Sequence, residues 1–390
     1  MHHVLPDYDG HGLCNLMQSL ATACGAADTS PTLPVATCAA LAPNILSQAR
    51  NLLLIVIDGL GDDYLLEHFG DGLLARLRIG RLSSVFPSTT ATAVTSYLTG
   101  LAPAQHAMTG WHMHYPELGA GSVTAVLPLH ARAGTPEVAL EPEALFDSVS
   151  LFDRIERPGY AVAPADIVDS AFNRHHCGRA QRVGYVGLEA MFDTLRTLVG
   201  VPGPKFVHAY YPELDSLAHR HGVASRKVAD ACATLEHALD RFLADIATSG
   251  TRVLISADHG FIDAPPERVI SFDEHPTAAA MLRNPLCGER RASYAYIRPG
   301  AEAAFEDYVR QAWHGVVDLY RSTDLVARGW FGPLPPNPRL LGHIGDYTLI
   351  PREDWTLVDW LPGERRYRLV GVHGGTSSAE MFVPLLCAEC

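Results

Sequence analysis

Three short apolar runs place the strongest limit on the fold of this chain. The segments NLLLIVID (51–58), KFVHAYY (205–211) and TRVLISAD (251–258) are rich in branched and aromatic residues. They lack the strict alternation of a strand that has one face in water. Continuous apolar strands are typical of parallel sheets, which helices cover on both faces. The runs therefore predict buried strands of one parallel sheet.

The chain between the second and third runs has the spacing of a helix. Apolar residues recur at helical intervals across 225–250, and Gly250 lies where such a helix should end. Strand, helix and strand in this order form a right-handed crossover unit. We therefore expect an α/β fold with a doubly wound, mostly parallel sheet flanked by helices. The apolar positions of the predicted helix are Val228, Ala231, Leu235, Leu239, Phe242 and Ile246.

Length and composition suit a single catalytic domain with an insertion. The 390 residues are 47% hydrophobic, which is enough for a large core. We expect one α/β domain over 1–390, with a short helical lead-in and a loop at 28–35 before the first strand. Residues 263–370 are rich in proline, glycine and arginine, which predicts a smaller cap or insertion of strands and loops. The main sheet is expected to resume at YRLVGV (367–372).

The charge balance argues against several classes of partner. The formal net charge is −13, and lysine and arginine do not cluster into a long basic run. Such a chain is not expected to bind nucleic-acid polymers or an anionic membrane through bulk charge. A small anionic ligand that is held by metal ions stays compatible with this balance.

The cysteines and the apolar segments predict a cytoplasmic protein. The eight cysteines are scattered, which suits reduced thiols. Residues 1–20 lack the basic and apolar segments of a secretory signal. The longest apolar run, at 51–60, reaches an aspartate too early to span a bilayer. The sequence does not indicate an oligomeric state.

Residue types that bind metals follow each apolar run at its carboxyl end. Asp58 ends the first run, and Asp215 and His219 follow the second. Asp258 and His259 end the third. In an open α/β sheet, ligands bind beyond the carboxyl ends of the strands. We therefore expect these side chains to meet at one edge of the sheet.

A fourth apolar segment, YRLVGVHGG, adds His373 to this set. Asp215 and His219 are four residues apart, which places them on one helical face. Carboxylates, imidazoles and a hydroxyl together favour Zn²⁺, with Mn²⁺, Fe or Co as alternatives. One tetrahedral zinc ion needs only four ligands, so the larger set predicts two metal ions on the order of 4 Å apart.

A threonine-rich segment, VFPSTTATAVTSYLTG (85–100), lies where the chain passes from a strand to a helix. Thr89, Thr90 and Thr92 are crowded there. Threonine often caps a helix, so capping is one interpretation. In the other interpretation, one hydroxyl is a nucleophile that a metal ion and the helix N-terminus activate.

These residues and their order resemble the alkaline phosphatase superfamily, and most closely its type I phosphodiesterase/nucleotide pyrophosphatase branch. The resemblance covers about residues 50–110 and 205–262 and the return near His373. It implies an alkaline-phosphatase-like sheet and two divalent metal ions.

The resemblance also divides the ligands between the two ions. In that family, one aspartate and two histidines hold one ion, which implies Asp215, His219 and His373 here. Two aspartates, one histidine and the nucleophile oxygen hold the other ion. The implied ligands of this second ion are Asp58, Asp258, His259 and the nucleophilic threonine.

The family motif implies which threonine is the nucleophile. In the family, the nucleophile lies three residues after a proline, and Pro87-Ser88-Thr89-Thr90 fits this pattern. Thr90 is therefore the implied nucleophile, with Thr89 as the alternative. Members that act on nucleotides often carry an asparagine three residues later, where this chain has Ala93. A backbone N–H at the helix start is expected to bind the phosphoryl oxygen instead.

The resemblance implies a two-metal hydrolase that cleaves phosphodiester or nucleotide pyrophosphate bonds. The expected substrate is a small phosphoester or nucleotide-like molecule. A phosphomonoesterase and a non-catalytic metal-binding relative are the alternatives. No lysine or arginine flanks Thr90 to hold extra phosphate charge, which favours diesters.

Aromatic and histidine residues are candidate substrate contacts. Trp111, His112 and Tyr115 follow the nucleophile helix in the sequence. Of the two adjacent tyrosines in the second run, one is expected in the pocket and one in the core, and Tyr211 is the candidate contact. His343 is a further candidate. Ordinary packed aromatic residues and a loop histidine are the alternative interpretation.

Overall fold

The computed structural model describes residues 3–26, 35–119, 121–136 and 141–390. The predicted loop at 28–35 lies outside these ranges except for its last residue. The strands, in chain order, are β1 (Asn51–Ile57), β2 (Arg78–Ser83), β3 (His112–His114), β4 (Val123–Ala125), β5 (His130–Ala131), β6 (Gly159–Pro164), β7 (Gln181–Tyr185), β8 (Lys205–Tyr211), β9 (Thr251–Ser256), β10 (Ile262–Asp263), β11 (Val269–Ser271), β12 (Cys287–Gly288), β13 (Ser293–Ala295), β14 (Val317–Arg321), β15 (Tyr347–Pro351), β16 (Thr356–Val358), β17 (Gly371–Val372) and β18 (Phe382–Glu389).

The helices alternate with the strands over most of the chain. None of the described helices combines the length and the apolar character that a membrane crossing requires. The helices are α1 (Leu13–Ala23), α2 (Pro43–Ser47), α3 (Asp62–Phe69), α4 (Leu73–Leu77), α5 (Thr90–Thr99), α6 (Pro103–His106), α7 (Pro142–Leu145), α8 (Leu151–Arg154), α9 (Ala171–His176), α10 (Leu188–Gly200), α11 (Glu213–His221), α12 (Arg226–Asp245), α13 (Pro276–Met281), α14 (Glu302–Ala312), α15 (Ser322–Ala327), α16 (Leu340–His343) and α17 (Ser378–Met381).

The central sheet has seven strands in the order β2-β18-β9-β1-β8-β6-β7. β1 pairs in parallel with β8 and β9, and β6 pairs in parallel with β7 and β8. β18 runs antiparallel to β9 and β2. All seven residues of β1 are buried, as its continuous apolar sequence predicts. The expected α/β fold with a mainly parallel sheet flanked by helices is confirmed.

The predicted helix between β8 and β9 is α12. The Ser225 side chain caps it by accepting a hydrogen bond from the Val228 N–H at 3.4 Å. Val228 and Leu235 are buried, as the helical spacing predicts. The helix ends at Asp245, and Gly250 then turns the chain toward β9 with a φ of 68°.

A second sheet of seven strands is antiparallel, with the order β14-β15-β13-β12-β3-β4-β5. β12 to β15 come from the predicted insertion at 263–370, whereas β3 to β5 come from 112–131. Strands of two or three residues are too short for periodicity to reveal. A single catalytic domain with a cap stays a prediction.

The segment 367–372 does not rejoin the central sheet. Only Gly371 and Val372 form a strand there, and this strand, β17, pairs with β10 in a two-stranded ribbon. The central sheet gains β18 instead, which fits between β2 and β9. The expectation that the sheet resumes at YRLVGV is wrong, because the longer apolar run FVPLLCAE takes that place.

A buried ion pair joins the turn between β12 and β13 of the second sheet to helix α17. Arg291 donates from Nε and Nη2 to the two carboxylate oxygens of Glu380, at 3.0 and 2.9 Å. Glu380 also accepts the Gly375 N–H at 2.8 Å, and Arg291 Nη1 donates to the Pro351 carbonyl at 3.2 Å. Burial, the largest single effect, would raise the pKa of Glu380, but the Arg291 charge and the hydrogen bonds to the carboxylate together outweigh it, and the pKa is lowered.

We expect Glu380→Gln to lower the free energy of unfolding by about 3–5 kcal/mol, because it leaves the Arg291 charge buried without a counter-ion. Urea denaturation measures this change. Glu189→Gln is the matched control, since Glu189 pairs with Arg241 at an exposed position. Exposed pairs contribute at most about 1 kcal/mol. Equally small losses in both variants would contradict the role of the buried pair.

Candidate active site

The seven residues predicted as metal ligands and nucleophile lie together at the carboxyl edge of the central sheet. Three of the segments that carry them follow the neighbouring parallel strands β8, β1 and β9, whose carboxyl ends share that edge. Their positions are Asp58 after β1, Asp215 and His219 on α11, Asp258 and His259 after β9, Thr90 at the start of α5 and His373 after β17.

Asp215, His219 and His373 form the first cluster of ligand atoms. Asp215 Oδ1 lies 3.3 Å from His219 Nε2 and 3.7 Å from His373 Nε2. The two Nε2 atoms are 3.2 Å apart. Burial, the largest single effect, lowers the pKa of His219, but the Asp215 carboxylate, the hydrogen bond to Gly371 and the charge of Glu289 together raise it, and the net pKa is raised. Three donor atoms at these distances converge on one point, as the ligands of a metal ion do.

The second cluster surrounds His259. Its Nε2 lies 3.4 Å from Asp58 Oδ1 and 3.4 Å from Asp258 Oδ2. Thr90 Oγ1 lies 3.1 Å from the same nitrogen. The His259 ring stacks on His373, with ring centroids 3.7 Å apart and an interplanar angle of 17°. The two clusters therefore adjoin each other.

The aspartates of both clusters present oxygens that have no hydrogen-bond partner. Asp58 Oδ1, Asp215 Oδ1 and Asp258 Oδ2 are buried and unpartnered among the described residues. Leaving a buried polar atom unpaired costs roughly 1–3 kcal/mol, and more for a charged group. Burial raises the pKa of Asp58, and the nearby carboxylates of Asp215 and Asp258 raise it further. A divalent cation would satisfy these oxygens and offset their repulsion, so the residues fit a metal centre.

Each of the three histidines turns its Nδ1 atom toward a backbone carbonyl. A carbonyl can only accept, so each Nδ1 carries the proton and each Nε2 offers a lone pair. This arrangement is typical of histidines that bind metals. The acceptors are the carbonyls of Gly371 for His219 (2.9 Å), Gly260 for His259 (3.1 Å) and Ser88 for His373 (3.2 Å).

Phe261 packs against all three histidine rings, and it was not among the predicted site residues. Its ring centroid lies 5.0 Å from His219, 5.5 Å from His259 and 5.1 Å from His373, each time edge to face. Gly59 leaves the space for it, since a Cβ there would lie 2.6 Å from the Phe261 ring. Phe261 thus fixes the ring orientations. Its place two residues after His259 is the only signal that the sequence offers.

Tyr210 and Tyr211 are successive residues of β8 and face opposite sides of the sheet. The Tyr210 hydroxyl donates to Asp58 Oδ2, and Tyr210 lines a cavity that adjoins the two clusters. Tyr211 packs in the hydrophobic core and is 7% exposed. Tyr211, which was expected to contact substrate, is therefore a core residue.

Thr89 and Thr90 direct their hydroxyls to different partners. Thr90 Oγ1 faces His259 Nε2, whereas Thr89 Oγ1 donates to Glu289 Oε1 at 2.7 Å. Thr89 occupies the N-cap position of α5, but its side chain does not cap the helix. Its carbonyl holds the first turn by accepting the Ala93 N–H at 2.9 Å. The geometry favours Thr90 over Thr89 as the hydroxyl of the second cluster.

A cavity of about 850 Å³ adjoins the two clusters, and Trp111 and His112 line it. Their contact with substrate stays a prediction. Tyr115 and His343 instead pack against each other, with ring centroids 4.9 Å apart and 1% exposure each. His343 Nε2 also lies 3.1 Å from Glu117 Oε1. Tyr115 and His343 are therefore corrected to buried packing residues.

Beyond the clusters, much of the cavity wall is apolar. Arg132 also lines the cavity, but its guanidinium donates to Glu364 at 2.7 Å and to the Leu286 carbonyl at 3.1 Å. Its charge is therefore already paired. Apolar residues of the wall include Val94, Leu98, Leu127, Val162, Ile167 and Phe172.

Comparison with known proteins identifies the family. A family model described as type I phosphodiesterase/nucleotide pyrophosphatase matches residues 52–376. This chain belongs to the type I phosphodiesterase/nucleotide pyrophosphatase family. The family lies in the alkaline phosphatase superfamily, and its members typically depend on divalent metal ions. Membership indicates a hydrolase of the phosphoesterase type. No curated protein sequence matches the chain.

Solved structures share the fold of this family member. Murine ectonucleotide pyrophosphatase/phosphodiesterase 5, an inactive variant in complex with AMP, has a TM-score of 0.63 at 15% identity, over 86% of this chain and 87% of that chain. The human protein has a TM-score of 0.64 at 15% identity, over the same shares of 86% and 87%. Phosphonoacetate hydrolase from Sinorhizobium meliloti 1021, in complex with phosphonoformate, has a TM-score of 0.62 at 18% identity, over 87% and 90%.

We expect Tyr210→Phe to weaken zinc binding by about tenfold or more, because partners that orient metal ligands contribute this much to affinity. Competition with a chromophoric chelator measures the affinity. Tyr296→Phe is the matched control, since the Tyr296 hydroxyl donates to the Gly342 carbonyl, at 3.1 Å, away from the clusters. Equal zinc affinity in both variants would contradict the role of Tyr210 in placing Asp58.

Proposed function

We propose that this family member is a two-metal hydrolase that cleaves phosphodiester or nucleotide pyrophosphate bonds with Thr90 as nucleophile. The observation that carries the proposal is the Thr90 hydroxyl, 3.1 Å from His259 Nε2, beside the two adjoining clusters of aspartate and histidine. Family membership supports the reaction class.

The donor types support two divalent ions. We assign Asp215, His219 and His373 to one ion. Mixed nitrogen and oxygen donors suit zinc first, and Mn, Fe or Co can bind the same types of ligand. The ligands that we assign to the other ion are Asp58, Asp258, His259 and Thr90.

The chain supplies a nucleophile at the start of a helix. When bound, divalent ions lower the pKa of a hydroxyl in their coordination shell and offset phosphoryl charge. Thr90 is the first residue of α5, where free N–H groups and the helix dipole favour negative charge. Its oxygen forms a bond to phosphorus as the bond to the leaving-group oxygen breaks. Water then cleaves the bond between Thr90 and the phosphoryl group and restores the hydroxyl.

The phosphoryl oxygens need a donor other than an asparagine side chain. Ala93 is fully buried and its side chain offers no hydrogen bond. The Thr89 hydroxyl is already committed to Glu289. We therefore assign the role to backbone N–H groups in the first turn of α5, as at other anion-binding helix N-termini.

The cavity supports a small phosphodiester with an aromatic or otherwise apolar leaving group. Trp111 lines the cavity and is 38% exposed, so its ring is free to stack on a base or an aryl group. The complex of murine ectonucleotide pyrophosphatase/phosphodiesterase 5 with AMP supports a nucleotide-like substrate here. The net charge of −13 disfavours a nucleic-acid polymer.

A cytoplasmic location is proposed from the cysteines. All eight are free, and six of them are buried. Burial raises the pKa of Cys287 to about 12, so this thiol stays protonated and unreactive at neutral pH. Such thiols suit a reducing compartment.

We expect Thr90→Ala to lower kcat by about a thousandfold or more, because it removes the attacking oxygen. Zinc binding should persist, since the aspartate and histidine ligands remain. Thr89→Ala makes the same change one residue earlier and should keep turnover within about tenfold of wild type. Near-normal turnover in Thr90→Ala, with loss in Thr89→Ala, would transfer the nucleophile to Thr89.

We expect the protein to lose activity when a chelator strips it, and to recover activity with Zn²⁺ or Mn²⁺. The restored enzyme should hydrolyse an aryl phosphodiester faster than the matching monoester, because no lysine or arginine flanks Thr90. Preference for the monoester would establish a phosphomonoesterase. Tight metal binding without turnover of either ester would establish a non-catalytic relative.

A further inference from the structure

Glu289 lies beside the threonine turn but belongs to neither cluster of ligand atoms. It is in the turn between β12 and β13, and it lines the same cavity as Thr90. Its Oε1 accepts hydrogen bonds from the Thr89 hydroxyl at 2.7 Å and from the backbone N–H of Trp111 at 2.7 Å. Two short hydrogen bonds therefore fix this carboxylate against Thr89, one residue before the proposed nucleophile, in the cavity that Thr90 also lines.

Two glycines leave the space that Glu289 and its turn occupy. A Cβ on Gly374 would lie 2.8 Å from the Glu289 Cβ, so the glycine leaves the side chain its space above the loop after His373. A Cβ on Gly110 would lie 2.7 Å from the Gly288 Cα, so that contact also depends on a glycine. The second sheet is thus built to hold Glu289 where it lies.

The carboxylate adds negative charge to the place that receives the phosphoryl group. Its hydrogen-bond donors, the Thr89 hydroxyl and the Trp111 N–H, are both neutral groups. They hold Glu289 without cancelling its charge. The guanidinium of Arg132 is paired with Glu364, and that of Arg290, which also lines the cavity, lies over the rings of two aromatic residues. Glu289 therefore repels a second negative charge on any phosphoryl group that Thr90 attacks.

We propose that Glu289 sets the charge preference of the site, so that the enzyme accepts singly charged phosphodiesters and disfavours doubly charged phosphomonoesters. This inference rests on the proposed function, in which Thr90 receives the phosphoryl group. A phosphate monoester loses its second proton with a pKa of about 6, whereas a diester keeps a single charge. Like charges a few ångströms apart at an effective dielectric constant of about 20 change affinity by tenfold or more.

The test compares two anions that differ by one charge. Burial raises the pKa of Glu289, so the measurement is made at about pH 8, roughly four units above the ordinary pKa of a glutamate, where the carboxylate stays ionised. Calorimetry at this pH measures binding of inorganic phosphate and of dimethyl phosphate to the zinc-loaded protein. Glu289→Gln keeps the side-chain shape and the acceptor for Thr89 and Trp111 but removes the charge. Asp166→Asn is the matched control, since Asp166 is an exposed carboxylate that lines the same cavity.

Glu289→Gln should bind inorganic phosphate about tenfold more tightly than wild type and dimethyl phosphate with little change. Asp166→Asn should keep the wild-type ratio of the two affinities. If Glu289 had only a structural role, Glu289→Gln would weaken the binding of both anions together. An unchanged ratio in Glu289→Gln, or an equal increase in Asp166→Asn, would overturn the inference.

Turnover of an aryl diester by the same proteins separates this inference from the proposed function. Diester turnover with an unchanged anion ratio in Glu289→Gln overturns only the role of Glu289. A changed ratio without diester turnover in wild type supports the charge preference and contradicts the proposed reaction. Failure of both wild type and Glu289→Gln to bind either anion overturns both.

Discussion

The site depends on three neighbouring parallel strands, β8, β1 and β9, which end at the same edge of the central sheet. In the ladder, Ile57 of β1 lies opposite Tyr211 of β8, and Val56 lies opposite Ser256 of β9. The Asp58 N–H still donates to the Tyr211 carbonyl at 2.9 Å, so the pairing continues to Asp58 itself. A shift of one residue in either ladder would turn these side chains to the other face. The buried apolar residues of β1 fix the register and thereby place the candidate ligands.

The same edge gathers charges that repel each other. Asp58, Asp215 and Asp258 approach one another there, and burial strengthens their repulsion. The fold satisfies only part of their oxygens, through the Tyr210 hydroxyl on Asp58 and the Gly59 N–H on Asp258 at 3.1 Å. An ion that binds only the folded chain stabilises it by mass action. Folding of the central sheet and occupancy of the site are therefore linked.

The sequence predicted those site residues that stand next to a recognisable pattern in the chain, such as an apolar run. Asp58 and Asp258 stand at the ends of apolar runs, and one topological rule brings such ends together. His373 was also predicted, although the short ribbon of β10 and β17 carries it and not a strand of the main sheet. Glu289 and Phe261 have no such pattern. The hydrogen bonds of Glu289 join residues 200 and 178 positions apart, next to strands of two and three residues. Packing between such short and distant elements leaves no periodic trace in the chain.

The second sheet is bound to the site through continuous buried contacts. Arg291 of this sheet pairs with Glu380, which also holds the Gly375 N–H of the loop after His373. The Gly375 carbonyl accepts the Ser88 hydroxyl at 2.8 Å, and the His373 Nδ1 donates to the Ser88 carbonyl. The loop that carries His373 and the turn that carries Thr90 are thus tied to each other and to the second sheet. Opening this sheet as a lid would break this buried ion pair and the hydrogen bond from Gly375 to Glu380. These buried contacts hold the second sheet against the loop of His373, so the fold itself sets the shape and charge of this wall of the cavity.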